Sequence, residues 1–359
     1  MKIVVITRER IETLPPVISM IEMLDDLGVN VQIIACGIAD NIRNEFERRK
    51  IEYVQIDYCF DNSLLKLKKV FSSLKFRKRV LNVLKKLSFD CLIIEGQGAF
   101  KILGTSIKKY NYIMYILEMY TRYERYIKKL IYDADAVIMP QYDRAVLYQT
   151  HYQLKKRPYV LPNKPYFILD DGRRRELEIK YRKQLQVFKE KKVILYQGII
   201  HKERNLTNFI KAVKSMGDSY RLVLLGKDSG AMKDYIRIDP FIVHIEFIPA
   251  PDYLVFTANA YIGILTYDPM SINCAYCAPN KLFEYAKYSL PMLGNDIPGL
   301  KYTIEVNGMG EIIDENSQES IVKGIKKIDE NYSNYANKSF RFYQSVDCKT
   351  VLKDILNYE

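Results

Sequence analysis

Apolar residues along this chain come in short β-branched runs separated by stretches of helical spacing. "KIVVI" at 2–6 is one such run; "IETLPPVISMIEMLDDLG" follows with its apolar positions on one helical face and stops at Gly28, and "VNVQIIACG" is the next run. Strand, helix, strand, with strands apolar throughout, is the pattern of a parallel sheet covered on both faces. The alternation continues through "EYVQIDY" at 52–58, a long helix from Leu64 to Lys86, "DCLIIEG" at 90–96, a helix near 100–109, "YIMYIL" at 112–117, a helix near 122–132 and "DAVIMP" at 135–140. The pattern predicts a doubly wound α/β domain over residues 1–165.

The texture then changes. "DDGRRRELEIKYRKQLQVFKEKK" is charged with little apolar periodicity and reads as a linker or solvated helix over 166–192. Alternation restarts with strands at "VILYQG" (193–198), "YRLVLLG" (220–226), "VHIEFIP" (243–249), "YIGILTY" (261–267), "PMLGND" and "GEIID" (310–314), and helices between them. This predicts a second doubly wound domain over 193–338, with residues 339–359 a helix crossing back to the first. Two such domains would face each other across a cleft. Ligands of open parallel sheets bind beyond the carboxyl ends of the strands, so the loops after residues 6, 96, 117, 198, 226 and 267 are expected to line it.

Length and composition agree with two globular cores: 359 residues, 48% hydrophobic and 27% charged. No run approaches a membrane span, and the apolar start meets charge at Arg8, which excludes a signal peptide and leads us to expect a cytoplasmic protein. The six cysteines, at 36, 59, 91, 274, 277 and 348, form no framework; Cys274 and Cys277 make a lone CxxC without the second ligand pair a structural zinc needs. A formal charge of +12 points to anionic partners without choosing among nucleic acid, lipid and phosphorylated small molecules.

Candidate chemistry concentrates in the second half. "EGQGAFKILG" follows a strand but carries Lys101 where a dinucleotide fingerprint needs its third glycine, and no Walker loop occurs. In "YQGIIHKERNLTNFI", Gly198 ends a strand and Arg204 stands before an amphipathic helix, a placement suited to phosphate, although from this loop alone His201, Lys202 and Arg204 read rather as solvated loop charges. In "SINCAYCAPNKLFEYAKYS", Asn280 is the expected helix cap and Glu284 lies one turn inside, where a carboxylate can accept from the vicinal hydroxyls of a ribose. The plain alternative is a surface glutamate paired with Lys281 or Lys287.

Taken together, "YQG…ERNL", "PNKLFEY" and "SLPMLGNDIPGL", in this order, resemble the nucleotide-sugar domain of GT-B fold glycosyltransferases of glycosyltransferase family 4, a likeness that covers about 193–315 well. The resemblance implies two Rossmann-like domains and a nucleotide-diphosphate-sugar donor. It implies that Glu284, the second glutamate of the family's E-x7-E motif, holds the ribose, that Arg204 neutralises the departing diphosphate, and that Lys281 and the amides around Pro279 to Lys281 add to that site. Gly198 and Asn280 belong to it, and Asn273 to Cys277 would form a loop over the donor sugar. Two positions depart from the pattern: the first glutamate of the motif is Tyr276, and the arginine usual after the strand-end glycine is Ile199.

Glu118, in "YILEMY", is the nearest polar group to the acceptor-side histidine of many relatives and is assigned to acceptor binding or base work. Neither cofactor nor metal is expected, since basic side chains can stabilise the leaving group. Family resemblance further implies transfer with retention to a glycan or polyprenyl-diphosphate-linked acceptor, as in surface polysaccharide synthesis. Residues 63–89 interleave thirteen apolar residues with nine Lys and Arg, either as a basic amphipathic helix on an anionic inner membrane face or as a core helix with a solvated basic side. A nucleotide-sugar 2-epimerase of the same fold would call for more acidic and histidine groups than this chain offers. A nucleic-acid-binding protein would call for a recognised module, and none is found.

Overall fold

A computed structural model of the chain describes residues 1–56, 66–166, 169–202 and 204–357. It divides into two compact units, one of 1–166 with 347–359 and one of 167–346.

The first unit is built on seven parallel strands: β1 (Lys2–Thr7), β2 (Asn30–Ala35), β3 (Glu52–Gln55), β4 (Cys91–Glu95), β5 (Tyr112–Tyr115), β6 (Ala136–Met139) and β7 (Tyr159–Val160). Their order, β3-β2-β1-β4-β5-β6-β7, reverses direction between β1 and β4. The central strands are apolar because helices cover both faces: Ile3, Val4, Val5, Ile6, Leu92, Ile93 and Ile94 are fully buried. Helix Pro15–Asp26 begins on a proline, whose missing N–H costs nothing in a first turn. Helix Asp40–Arg49, which the hydrophobic pattern does not predict, joins β2 to β3 and buries only Phe46. The expected single helix at 122–132 is instead a chain of short turns around helix Glu124–Ile127.

The second unit holds six parallel strands: β8 (Lys192–Gln197), β9 (Tyr220–Leu225), β10 (Val243–Ile245), β11 (Ile262–Leu265), β12 (Met292–Asn295) and β13 (Gly310–Ile313), in the order β10-β9-β8-β11-β12-β13. It repeats the first unit's topology, with the reversal between β8 and β11. The stretch 166–192 is not a linker among the described residues. Helices Asp171–Lys180 and Arg182–Glu190 bury Leu177, Leu185 and Phe188 in a cluster with Val193, Leu195, Val255 and Phe256. Their charges sit on the outward faces, which hid the sparse inward pattern.

The C-terminal stretch is two helices rather than one. Tyr332–Ser345 belongs to the second unit and Cys348–Leu356 to the first, with Asp347 capping the latter by accepting from the Lys349 and Thr350 amides at 3.0 and 3.1 Å.

Candidate functional site

The carboxyl end of β8 is crowded. Gly198 follows it at φ +146°, and a Cβ placed there would lie 3.5 Å from Lys281 Cε and 3.6 Å from Lys281 Nζ. Gly226, after β9 at φ +143°, approaches so closely that its own Cβ would stand 2.0 Å from the Gly198 carbonyl oxygen. Only glycine fits there.

Arg204 is set in this same neighbourhood by its backbone. Its carbonyl accepts from the Tyr235 hydroxyl at 3.1 Å, which in turn accepts from the Leu206 amide at 3.1 Å. The guanidinium lies 5.0 Å from the centre of the Tyr267 ring and points an amino group toward the Tyr196 hydroxyl. That hydroxyl donates to the Ile199 carbonyl at 3.1 Å.

Helix Asn280–Lys287 presents the remaining groups. Pro279 occupies the cap position and no side chain caps the helix, so Asn280 is its first residue rather than its cap. Glu284 is not the surface glutamate of the plain alternative: it is 8% exposed and belongs to a polar network in an otherwise apolar setting. Gln197, the last residue of β8, donates its amide to Glu284 Oε2 at 2.5 Å, and the Tyr253 hydroxyl donates to Oε1 at 2.6 Å. Thr257 fixes the Gln197 side chain by donating to its Oε1 at 2.8 Å. Burial pushes the Glu284 carboxyl upward, against the Tyr253 hydroxyl, the Lys281 charge and the Gln197 amide. Burial likewise lowers the Lys281 ammonium, with Glu284 opposing and Arg204 reinforcing the shift. Arg204, Lys281 and Glu284 therefore share a poorly solvated corner, where a bound anion would favour the charged forms of both basic side chains.

The expected loop at 273–277 contains a short helix, Ile272–Ala275, capped by Ser271, whose Oγ accepts from the Cys274 amide at 3.1 Å. Asn273 lies within it and Tyr276 ends it. Gly299, in helix Pro298–Ile304, backs this segment so tightly that a Cβ there would come within 2.5 Å of the Cys277 amide nitrogen. The second unit thus brings Gly198, Arg204, Lys281 and Glu284 together, with Cys274 of the 272–275 helix within electrostatic reach of Arg204.

Glu118 belongs to the first unit. It is exposed, and its carboxylate accepts from the Tyr120 hydroxyl. Missed by the sequence reading is Glu95, the last residue of β4, which is buried in the same unit. Burial, assisted by Glu9 and Glu118 and opposed by Arg8, pushes its carboxyl up to about 8. The available signal was a charged residue closing the apolar run "CLII".

Solved structures align with nearly the whole chain. HepE of Anabaena, in complex with UDP and glucose, has a TM-score of 0.71 at 13% identity and covers 99% of this chain and 98% of its own. The sucrose-phosphate synthase of Thermosynechococcus elongatus gives 0.71 at 12%, with 99% and 98% covered. The chain has the GT-B fold. A third GT-B structure, WaaG, a glycosyltransferase involved in lipopolysaccharide biosynthesis, gives 0.66 at 13% with 98% of both chains covered. No family model and no curated protein matches the GT-B chain described here.

Proposed function

We propose that the chain is a glycosyltransferase that takes its sugar from a nucleotide-diphosphate-sugar, with a UDP-sugar as the first candidate. The observation that carries the reading is the grouping of Arg204 and of Lys281, which lies beside Gly198, with the buried, hydrogen-bonded carboxylate of Glu284 at the carboxyl end of β8. Breaking the bond between sugar and diphosphate places negative charge on the departing phosphate. Two fixed cations in a poorly solvated corner stabilise that charge without reorganising. Each oxygen of Glu284 already accepts one protein hydrogen bond and keeps a second lone pair, enough for the two hydroxyls of a ribose. UDP is named in the structures of HepE, which is why it leads the candidates.

The finer parts of the reading are retention of configuration, a glycan or polyprenyl-linked acceptor, and an anionic membrane surface as the place of work. Supporting the last is helix Lys66–Leu84. It turns Phe76, Val80 and Leu84 inward and leaves Val70, Phe71 and Leu74 exposed among Lys68, Lys75 and Lys78. An apolar strip bordered by lysines complements an anionic bilayer. Residues 63–65 of the predicted basic segment lie outside those described. Among the described residues, no helix is long and apolar enough to cross a membrane.

Calorimetry with UDP and with uridine tests the core of the reading. UDP is expected to bind the wild type more tightly than uridine, and Arg204→Ala or Lys281→Ala to erase roughly tenfold of that difference, the worth of one charge-assisted contact. Equal affinity for UDP and uridine in the wild type, or unchanged UDP affinity in Glu284→Ala, overturns it. A thermal-shift screen of UDP-, GDP-, CDP- and dTDP-sugars identifies the donor.

A further inference from the structure

The carboxyl end of β4 carries a second group of ionisable side chains that the site in the second unit does not use. Strand order reverses between β1 and β4, and at that point β1 runs into Arg8 and Glu9 while β4 ends on Glu95. Crevices of open parallel sheets form at such reversals.

In the ladder Glu95 stands between Thr7 and Tyr115. It is 6% exposed, and its carboxyl makes no hydrogen bond among the described residues. Gly96 follows at φ +82°, and a side chain added there would meet nothing within 4 Å, so open space adjoins the carboxyl's own backbone. The charged groups around it are Arg8 and Glu9 from the loop after β1 and Glu118 from the loop after β5. Arg8 is already engaged by Glu9, and it packs where a Cβ on Gly98 would come within 2.4 Å of its guanidinium.

The Glu95 oxygens are not among the buried polar atoms sealed off without a partner, so the carboxyl faces the open space beside Gly96, where a ligand hydroxyl can take the place of water. We propose that this crevice binds an uncharged, hydroxyl-bearing sugar, that Glu95 is the positioning residue holding one of its hydroxyls, and that sugars bearing a carboxylate or phosphate are rejected there. The proposal rests on the transferase reading and specifies the sugar that the first unit takes. A carboxyl that holds its proton both donates and accepts, as a sugar hydroxyl does. A uronate or sugar phosphate would instead bring an anion among three carboxyl groups whose single guanidinium is already taken.

The probes are octyl β-glucoside, octyl β-galactoside and octyl β-glucuronide below their micellar concentrations, titrated by NMR into the full chain with UDP present. At least one neutral glycoside is expected to bind roughly tenfold tighter than the glucuronide. Glu95→Gln, which keeps a donor and an acceptor, should retain the neutral glycoside, and Glu95→Leu should lose roughly tenfold. In the wild type the preference for neutral over glucuronide should widen from pH 6 to pH 9 as Glu95 ionises, and it should stay flat in Glu95→Gln. That readout does not depend on Glu95→Leu folding.

A glucuronide bound as tightly as the neutral sugars, no binding of any neutral glycoside, or the same widening with pH in Glu95→Gln overturns the proposal. UDP titrations of the same samples report on the second unit alone, so a failure there marks the transferase reading and not the role of Glu95.

Discussion

Tyr253 and Gln197 hold Glu284 from opposite oxygens, at 2.6 and 2.5 Å, which makes the carboxylate a fixed part of the second unit rather than a mobile surface group. Removing one donor is a gentler probe than removing the carboxylate. Tyr253→Phe is expected to weaken UDP binding about threefold to tenfold while costing about 1 kcal/mol of stability. Glu284→Ala strands both donors and should cost more on both counts. Calorimetry and denaturant titration of the two variants check the order; a Tyr253→Phe chain that binds UDP like the wild type would separate the network from donor binding.

The close approach of Gly226 to Gly198 gives a second expectation. Gly226→Ala puts a methyl group 2.0 Å from a backbone oxygen at φ +143°, where no flexible side chain can give way. Gly198→Ala meets mainly the Lys281 and Tyr196 side chains at 3.5 Å or more, although its φ of +146° is strained for any L residue. Both variants lose stability, Gly226→Ala by several kcal/mol and Gly198→Ala by roughly 1–3 kcal/mol. Urea unfolding followed through the second unit's tyrosines orders them.

Two buried carboxyls make the first unit sensitive to alkali. Burial raises Glu22 from 4.5 to about 7 and Glu95 from 4.5 to about 8. The folded chain therefore binds more protons than the unfolded chain between pH 4.5 and those values, so stability is full below that window and falls as pH rises through it. The loss is on the order of 3 kcal/mol for Glu22 and 5 kcal/mol for Glu95. Glu22→Gln and Glu95→Gln should leave the unfolding midpoint near the wild-type value at pH 5 and raise it at pH 8.5. Midpoints that move equally at both pH values would contradict the assignment.

Binding to vesicles separates the two uses of helix Lys66–Leu84. Phe71→Ser with Leu74→Ser should reduce sedimentation with phosphatidylglycerol vesicles severalfold and leave the thermal midpoint within a degree or two, because both side chains are exposed, at 71% and 55%. Sedimentation that neither the double variant nor added salt reduces would rule out the membrane role.

Much of the fold was legible because parallel strands covered on both faces must be continuously apolar, and runs such as "KIVVI" and "VILYQG" have no other ready use. Helix Asp40–Arg49 was not legible, since it rests on the buried Phe46 alone. Over helices Asp171–Lys180 and Arg182–Glu190 the pattern does not separate a linker from a solvated helix for the same reason, three buried side chains among many charges. At the candidate site, Gly198, Arg204, Lys281 and Glu284 could be named because their segments, taken together and in order, resemble the nucleotide-sugar domain of GT-B glycosyltransferases; each segment alone left the plain alternative open. The partners of Glu284 could not, because Tyr253 and Gln197 lie 31 and 87 residues away in the chain. Glu95 escaped because burial is a property of its neighbours.

The missing side chain of Gly299 has a mechanical meaning. With the backbone of Tyr276 and Cys277 pressed against that bare Cα, the turn after β12 acts as a backstop for the segment that carries Asn273 and Tyr276. Any side chain at 299 would push this segment bodily forward, so the reach of Tyr276 is governed by a residue on a different helix, with no ligand contact of its own required.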